Sequence, residues 1–433
     1  MPPTSPTPEQ LTLSSRRVLT PEGERPATLR IDAGKIAAIE PYDGTGRDLG
    51  SVAILPGLVD PHVHLNEPGR TEWEGLATGT AAAAAGGVTT LVDMPLNSSP
   101  VTTTPEALQQ KRSAAEGVAQ VDVAFHGGLV PGNEDQIEPL LDAGVVGVKA
   151  FLCHSGIDEF PAAAERELRA AMPILAERGV PLLAHAEIVS PAPETTDPRS
   201  YAQYAATRPP KFEQDAIRLL LDLCDETGCR VHIVHLAGAS CLEMLAKARA
   251  SGLPVTVETC PHYLTFADEE IPDGATEYKC APPIRDAENR EGLWQGLRDG
   301  VIDLVATDHS PCPPEMKQLD SGRFDQAWGG IASLQLGLSA TWTGAVQRGF
   351  DLTEVVRWMS TATAELVGIE AGIRIGAEAN LVLFDPEATW TVRGKELHHR
   401  HPITPYEGRE LRGKVIETLL RGGPPSVQCA RIG

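Results

Sequence analysis

Three features that the sequence lacks narrow the classes of protein to consider. The 433 residues contain no apolar run of about 18 residues, so a membrane-spanning helix is not expected. The first residues, MPPTSPTPEQ, lack the basic start and apolar core of a secretory signal. Lys and Arg number 37 against 59 Asp and Glu, which gives a formal net charge of −22. This acidic excess argues against nucleic acid and anionic lipid as partners, because both bind basic surfaces.

Cysteine spacing argues against a protein that is stabilised by disulfides. The eight cysteines are scattered along the chain, and no two of them form a CxxC pair. A disulfide framework is not expected in a chain this long that has no export signal. The sequence therefore favours reduced thiols and a cytoplasmic location.

The central part of the chain alternates between two patterns. Short apolar runs such as "GVTTLVDMP", "VVGVKAFL" and "CRVHIVHLA" are followed by helical patterns such as "FEQDAIRLLLDLCDETG". Near-continuous Val, Ile, Leu and Ala runs are typical of parallel strands that are buried on both faces. We therefore predict an α/β chain whose residues 56–369 form a (β/α)8 barrel of the TIM type. A doubly wound open sheet is the structural alternative.

The two ends of the chain have a different pattern of apolar and polar residues. Residues before about 55 and after about 370 contain short alternating strands separated by turn residues, as in "ATLRIDAGKIAAIEPY" and "RGKVIETLLRG". We predict that residues 1–55 and 370–433 together form one small β-sandwich module. An independent C-terminal β domain is less favoured because each half alone has few strands.

Residues of the types that bind metals lie at the ends of the predicted strands. Active sites of (β/α)8 barrels lie at the carboxyl ends of the strands, and a His-x-His pair on a strand points both rings to one side. Imidazole and carboxylate suit zinc and neighbouring metals, whereas a single histidine on its own is more often structural. The predicted ligands are His62, His64, Lys149, His185, His235 and Asp308.

Lys149 is the unusual member of this set. An ammonium group beside metal cations is repelled, but a buried lysine loses its proton easily. A neutral amine can add carbon dioxide and become a carbamate, which can bridge two metals. The alternative is a lysine that extends out of the end of the barrel.

Six segments carry a resemblance to a known family. "PGLVDPHVHLNEPG", "GVKAF", "LLAHAE", "ETCPHYL", "CAPPIRD" and "ATDHSPC" resemble the cyclic amidohydrolases, which include dihydroorotases, hydantoinases and allantoinases. The resemblance extends from about residue 12 to about residue 425. It implies that the six ligands hold two divalent ions, most readily zinc, with cobalt, manganese, iron or nickel as alternatives. It also implies that Lys149 is carbamylated and that the protein is a homotetramer. The implied mechanism is opening of a cyclic amide by a metal-bridging hydroxide, with Asp308 as base and then acid.

The segments also bear on the substrate. Dihydroorotases have an arginine in the pattern HxHxREPG, where this chain has Asn66, and a planar cation suits a substrate carboxylate. Leu96, Ala281 and Cys312 replace three further residues of the dihydroorotase patterns. Four such differences together predict a substrate without a carboxylate.

The versions present here resemble the allantoinase branch of the family. "HLNEPGRTEWEG", "MPLNSSP", "KCAPPIRD" and "AWGGIASLQ" carry this resemblance. It implies a small neutral substrate, allantoin, which is hydrolysed to allantoate in purine degradation. Asn66, Ala281, Gly329 and Gly330 are the substrate contacts that it suggests. The alternatives are a hydantoinase or dihydropyrimidinase, then a dihydroorotase, and in another class an inactive scaffold that binds proteins.

Other histidines fall outside this set. We interpret His126 and His262 as structural or supporting residues, and we expect His309 to orient Asp308. The group His398, His399 and His401 is expected at the surface, away from the barrel mouth.

Overall fold

The structure is a computed structural model that describes residues 10–433. The first nine residues of the predicted 1–55 segment therefore lie outside the described residues. Among residues 10–433, no helix is both long and apolar enough to cross a membrane.

The strands occur in chain order as β1 (Leu11–Thr20), β2 (Gly23–Asp32), β3 (Lys35–Pro41), β4 (Arg47–Asp48), β5 (Ala53–Pro56), β6 (Leu58–Val63), β7 (Val88–Asp93), β8 (Asp122–Phe125), β9 (Gly127–Gly128), β10 (Val148–Phe151), β11 (Leu182–His185), β12 (Val231–Ile233), β13 (Val255–Thr259), β14 (Leu304–Val305), β15 (Leu381–Thr391) and β16 (Glu410–Leu419).

The α-helices are α1 (Leu76–Ala85), α2 (Pro105–Ala115), α3 (Ile137–Asp142), α4 (Glu165–Arg178), α5 (Tyr201–Ala206), α6 (Lys211–Thr227), α7 (Leu242–Ala250), α8 (Pro261–Thr265), α9 (Ala287–Arg298), α10 (Gly337–Gln347), α11 (Leu352–Val356) and α12 (Ala362–Leu366). Single helical turns of the 3-10 type lie at Glu134–Gln136, Ala239–Cys241, Asp268–Glu270, Thr276–Tyr278, Pro314–Lys317, Leu334–Leu336 and Gly394–Glu396, and a π-turn lies at Arg357–Thr361.

Parallel strands β6 to β14 form a closed barrel. They pair in the orders β6-β7-β8 and β9-β10-β11-β12-β13-β14, and β8 and β9 are two parts of one strand interrupted at His126. The nine segments therefore make eight barrel strands. Val63 at the end of β6 pairs in parallel with His309, and the amide of His64 donates to the carbonyl oxygen of His309 at 2.8 Å. This contact closes the barrel, so the predicted (β/α)8 architecture is confirmed and an open sheet is excluded.

Burial explains why the sequences of the barrel strands are almost continuously apolar. Every residue of β6, β7, β10 and β11 is buried, because one face points into the barrel and the other is covered by helices. The covering helices end as their sequences indicate. Gly179 after α4 and Gly228 after α6 adopt left-handed backbone conformations, with φ of 66° and 68°.

The chain termini meet in a second sheet of seven strands. Its order is β16-β15-β5-β1-β2-β3, with β4 paired to β1, so strands from both ends of the chain are neighbours. Ile54 of β5 lies opposite Leu383 of β15, and both belong to an apolar cluster separate from the barrel core. The last residues leave this sheet, because Ile432 pairs with Val123 of the barrel. The exact division at residues 55 and 370 stays a prediction.

Candidate active site

A cavity of ≈ 480 Å³ opens at the carboxyl ends of the barrel strands. It is positioned by the fold, because every strand of a parallel barrel ends on the same side. The cavity wall includes all of the predicted metal ligands, namely His62, His64, Lys149, His185, His235 and Asp308. The fold therefore brings the predicted ligands together in one cavity.

Three of these residues form one group of ligand atoms. The Nε2 atoms of His62 and His64 lie 3.2 Å and 3.3 Å from Oδ1 of Asp308. The backbone at Asp308 is left-handed, with φ of 45°. Burial alone would raise the pKa of Asp308, but His62 and His64 outweigh it and lower the pKa to about 2. The carboxylate is therefore ionised at neutral pH, as a metal ligand must be.

A second group faces the same cavity. Nδ1 of His185 lies 2.9 Å from Nε2 of His235, so two possible ligand atoms from different strands are adjacent. Nζ of Lys149 is buried and has no hydrogen-bond partner among residues 10–433. Burial lowers the pKa of Lys149 to about 8, which brings the neutral amine within reach of physiological pH. An unpartnered amine beside two adjacent imidazoles fits a metal-binding position.

Glu258 supports both groups, and sequence reasoning missed it. Its Oε1 lies 2.7 Å from Nδ1 of His62 and accepts the backbone amide of His235 at 3.0 Å. Its other oxygen lies 3.2 Å from Nε2 of His232. These contacts depress the pKa of Glu258 despite its complete burial. The signal was present in the sequence, since Glu258 lies near the end of the strand in "VTVETC".

Glu187 gives His185 the same kind of support. Its Oε2 lies 2.8 Å from Nε2 of His185, so Nδ1 is the ring nitrogen that faces His235. Arg208 donates to both oxygens of Glu187. Phe151 stacks on the His185 ring with centroids 4.5 Å apart, and Cys153 offers a sulfur within 4.8 Å of the nearest His185 and Glu187 ligand atoms. Glu187 lies two residues after the predicted strand end, His185, in "LLAHAE" and was also missed.

The predicted substrate contacts divide into two sets. Ala281, Gly329 and Gly330 line the cavity. Asn66 is buried behind His64 and is absent from the cavity wall, where its neighbour Asn97 is present. The Asn66 amide donates to the carbonyl oxygen of His64 at 3.0 Å and accepts from Asn97 at 3.1 Å. In this structure Asn66 therefore supports the ligand segment.

The histidines outside the ligand set are mostly buried. His126 lies 3.0 Å from the carbonyl oxygen of Pro61, and burial lowers the pKa of His262 to about 4. His309 lies 3.1 Å from Oε2 of Glu74 and follows Asp308 directly, and its orienting role stays a prediction. His399 was expected at the surface, and that interpretation was wrong. It is buried, and its ring lies 4.8 Å from that of His309.

Comparisons with known proteins agree with this geometry. The profile of the Amidohydrolase family matches residues 53–423. An allantoinase of Streptomyces avermitilis is 50% identical over 424 residues, which cover 95% of this chain and 94% of the relative. An allantoinase of Arabidopsis thaliana is 45% identical over 439 residues, with 95% and 87% covered.

Solved structures match the whole fold. The L-hydantoinase (dihydropyrimidinase) from Arthrobacter aurescens superimposes with a TM-score of 0.89 at 28% identity, with 98% of this chain and 99% of that chain covered. The dihydropyrimidinase from Brevibacillus agri gives a TM-score of 0.87 at 27% identity, with 98% of both chains covered. The chain therefore belongs to the amidohydrolase family, and within it groups with the enzymes called allantoinases.

Proposed function

We propose that this chain hydrolyses the cyclic amide of allantoin to give allantoate. One observation carries the choice of substrate. Two relatives called allantoinases are 50% and 45% identical over 95% of the chain, whereas the matching hydantoinase and dihydropyrimidinase structures are 28% and 27% identical. The complete ligand set argues against an inactive scaffold, since such a protein has no need to keep it.

The two groups of ligand atoms suit two divalent ions. His62, His64 and Asp308 would hold one ion, and His185 and His235 would hold the other. Lys149 would serve both ions as its carbamate. Zinc is the first choice for this set of nitrogen and oxygen ligands, and cobalt, manganese, iron or nickel are alternatives. When bound, the ions would activate a water molecule and polarise the ring carbonyl.

Asp308 is the proposed proton carrier. It is ionised at neutral pH because its pKa is about 2, so it can accept a proton from the attacking water. It would then pass that proton to the ring nitrogen as the carbon–nitrogen bond breaks. Its Oδ1 stays close to both His62 and His64, which hold the carboxylate at the floor of the cavity.

Two positions of the cavity wall differ from the dihydroorotase patterns, which supports a substrate ring without a carboxylate. Leu96 and Ala281 line the wall at two positions where dihydroorotase patterns have asparagine. We propose that backbone groups of Ala281, Gly329 and Gly330 bind the amide and urea edges of the substrate. The role of Asn66 is to hold His64 and Asn97, and a direct contact with substrate would need Asn97 to move.

Two further properties belong to the same proposal. The resemblance to the family favours a homotetramer. All eight cysteines are free thiols, and this agrees with a reducing compartment such as the cytoplasm.

A paired hydrolysis assay tests the proposal. Protein loaded with metal in the presence of bicarbonate is given allantoin, hydantoin, dihydrouracil and dihydroorotate under the same conditions. We expect a kcat/KM for allantoin far above those for the other three. Faster turnover of hydantoin or dihydrouracil would identify a hydantoinase or dihydropyrimidinase, and turnover of dihydroorotate would refute the interpretation of the cavity wall. The Asp308→Asn variant is the negative control, because it removes the proposed proton carrier and keeps the size of the side chain.

A further inference from the structure

One side chain of the cavity wall carries a charge that the structure leaves unbalanced. The cavity is lined by the cations Lys149, Arg208 and Lys279 and by the acids Asp308 and Asp325. Arg208 is paired with the buried Glu187, and Asp325 is paired with Arg323 at 2.6 Å. Lys149 and Asp308 belong to the proposed metal centre. Within residues 10–433, Lys279 has no carboxylate within ion-pair distance.

The partners that Lys279 does have are neutral. Its Nζ donates to the carbonyl oxygen of Ala327 at 2.6 Å and lies 5.3 Å from the centre of the Tyr204 ring. An ammonium group has three hydrogens, so two remain for a ligand. Burial, together with the nearby cations Lys317 and Arg208, lowers the pKa of Lys279 to about 8. An unpaired cation beside other cations is costly, and such groups are typical of sites that receive an anion.

The proposed reaction supplies such an anion. Water adds a carbon–oxygen bond to the ring carbonyl, the carbon–nitrogen bond breaks, and the ring nitrogen takes a proton. The acid so formed ionises, so a neutral ring becomes an open chain that carries one carboxylate. The new charge arises in the cavity that Lys279 lines.

We propose that Lys279 binds the carboxylate that ring opening creates, and so distinguishes the product from the neutral substrate. This inference rests on the proposed function. Lys317 provides a contrast. It is buried, donates to the carbonyl oxygens of Trp328 and Gly330, and is absent from the cavity wall, as expected of a structural lysine.

The test compares charged and neutral ligands in matched variants. Lys279→Met removes the charge, Lys279→Arg keeps it, and Lys247→Met removes an exposed lysine whose side chain is 74% accessible. Inhibition constants are measured for allantoate and for neutral hydantoin, together with KM for allantoin. We expect Lys279→Met to weaken allantoate binding by about tenfold or more, the size of a charge-assisted hydrogen bond, with a much smaller change for hydantoin and allantoin. Lys279→Arg should restore most of the loss, and Lys247→Met should match the wild type.

Two outcomes would overturn the inference. The first is that allantoate binds Lys279→Met as tightly as it binds the wild type. The second is that binding of charged and neutral ligands weakens equally, as loss of a purely structural residue would cause. Thermal melting checks that the variants fold. If Lys279→Met does not fold, the inference is tested with Lys279→Arg in its place.

Failure of the proposed function gives a different result. If the wild type does not hydrolyse allantoin, calorimetric binding of N-carbamoylglycine, a ring-opened hydantoin, still tests Lys279 because it needs no turnover. About tenfold weaker binding by Lys279→Met supports the inference. Equal binding by both proteins, or no binding by the wild type, refutes it.

Discussion

Glu258 lies 2.7 Å from Nδ1 of His62, and the same carboxylate oxygen accepts the backbone amide of His235. One buried acid therefore contacts a residue from each of the two groups of candidate ligands. A carboxylate on Nδ1 favours a proton there, which leaves Nε2 of His62 free to face Asp308.

Replacing Glu258 with glutamine tests this relationship. The amide keeps the shape of the side chain but removes the charge that holds His62. We expect metal affinity to fall by about 10–100-fold, the usual effect of losing such a support. Metal content after dialysis against a graded chelator is the measurement. Glu243→Gln is the matched control, because Glu243 is 80% exposed and pairs with Lys247. Wild-type metal retention by Glu258→Gln would contradict the proposed role.

Replacing Asp308 with asparagine separates proton transfer from metal binding. The amide still offers an oxygen to an ion but accepts no proton near neutral pH. We expect kcat to fall by about 10²–10⁴-fold, while much of the metal remains bound. Turnover and metal content are measured on the same samples, with the exposed Asp320→Asn as control. A wild-type kcat in Asp308→Asn would refute its role as proton carrier.

Replacing Lys149 with alanine removes the proposed bridge. We expect the variant to lose metal and activity, because the alanine methyl group cannot replace the buried amine that would form the bridge. Short carboxylic acids such as acetate or propionate should restore part of the activity, since they can occupy the space of a carbamate. Activity is titrated against acid concentration, with a neutral amide of the same size as control. Full metal content and activity without added acid would exclude a carbamate at this position.

The pKa of Lys149 also predicts how reconstitution depends on pH. Carbon dioxide reacts with the neutral amine, which is the minor form below the pKa of about 8. At fixed dissolved carbon dioxide, recovery of activity in metal-free protein should therefore be slow near about pH 6.5 and fast near about pH 8.5. Recovery is followed by the allantoin assay after dilution to one common pH. Lys149→Ala reconstituted with acetate lacks the amine and should not show this rise. A flat rate in the wild type would contradict the assignment.

The sequence predicted which of these side chains share one cavity, because they obey a simple geometric rule. His62, His64, His185, His235 and Asp308 all lie at strand ends, and a closed parallel barrel brings all strand ends to one rim. Only the type of each residue and its place on a strand had to be recognised.

The contacts of other side chains depend on where the backbone points each of them, and a sequence pattern does not contain this information. Asn66 is two residues beyond His64, but its left-handed backbone, with φ of 64°, places the amide behind that ligand and away from the cavity. His399 is 90 residues beyond His309 in the chain, yet the fold packs the two rings together. Glu187 and Glu258 were visible as acids near strand ends, but only the structure shows that they contact histidines and not the cavity.

The pair of Glu187 and Arg208 allows a test of stability that is independent of turnover. Glu187 is fully buried, and its pKa is about 2 because His185 and Arg208 outweigh the effect of burial. Arg208→Met leaves the buried carboxylate without its cation. We expect the free energy of unfolding of the metal-free protein to fall by about 2 kcal/mol, less than for a fully buried pair because Arg208 keeps 23% of its exposure.

Thermal unfolding of metal-free protein measures this effect. The double variant Glu187→Gln with Arg208→Met should regain part of the lost stability, since no unpaired charge remains. Arg323→Met is the matched control, because its pair with Asp325 is 41% and 44% exposed and should contribute little. If Arg208→Met melts at the wild-type temperature, Glu187 does not depend on Arg208 for its charge. The support of His185 must then come from Glu187 and the stacked Phe151 alone.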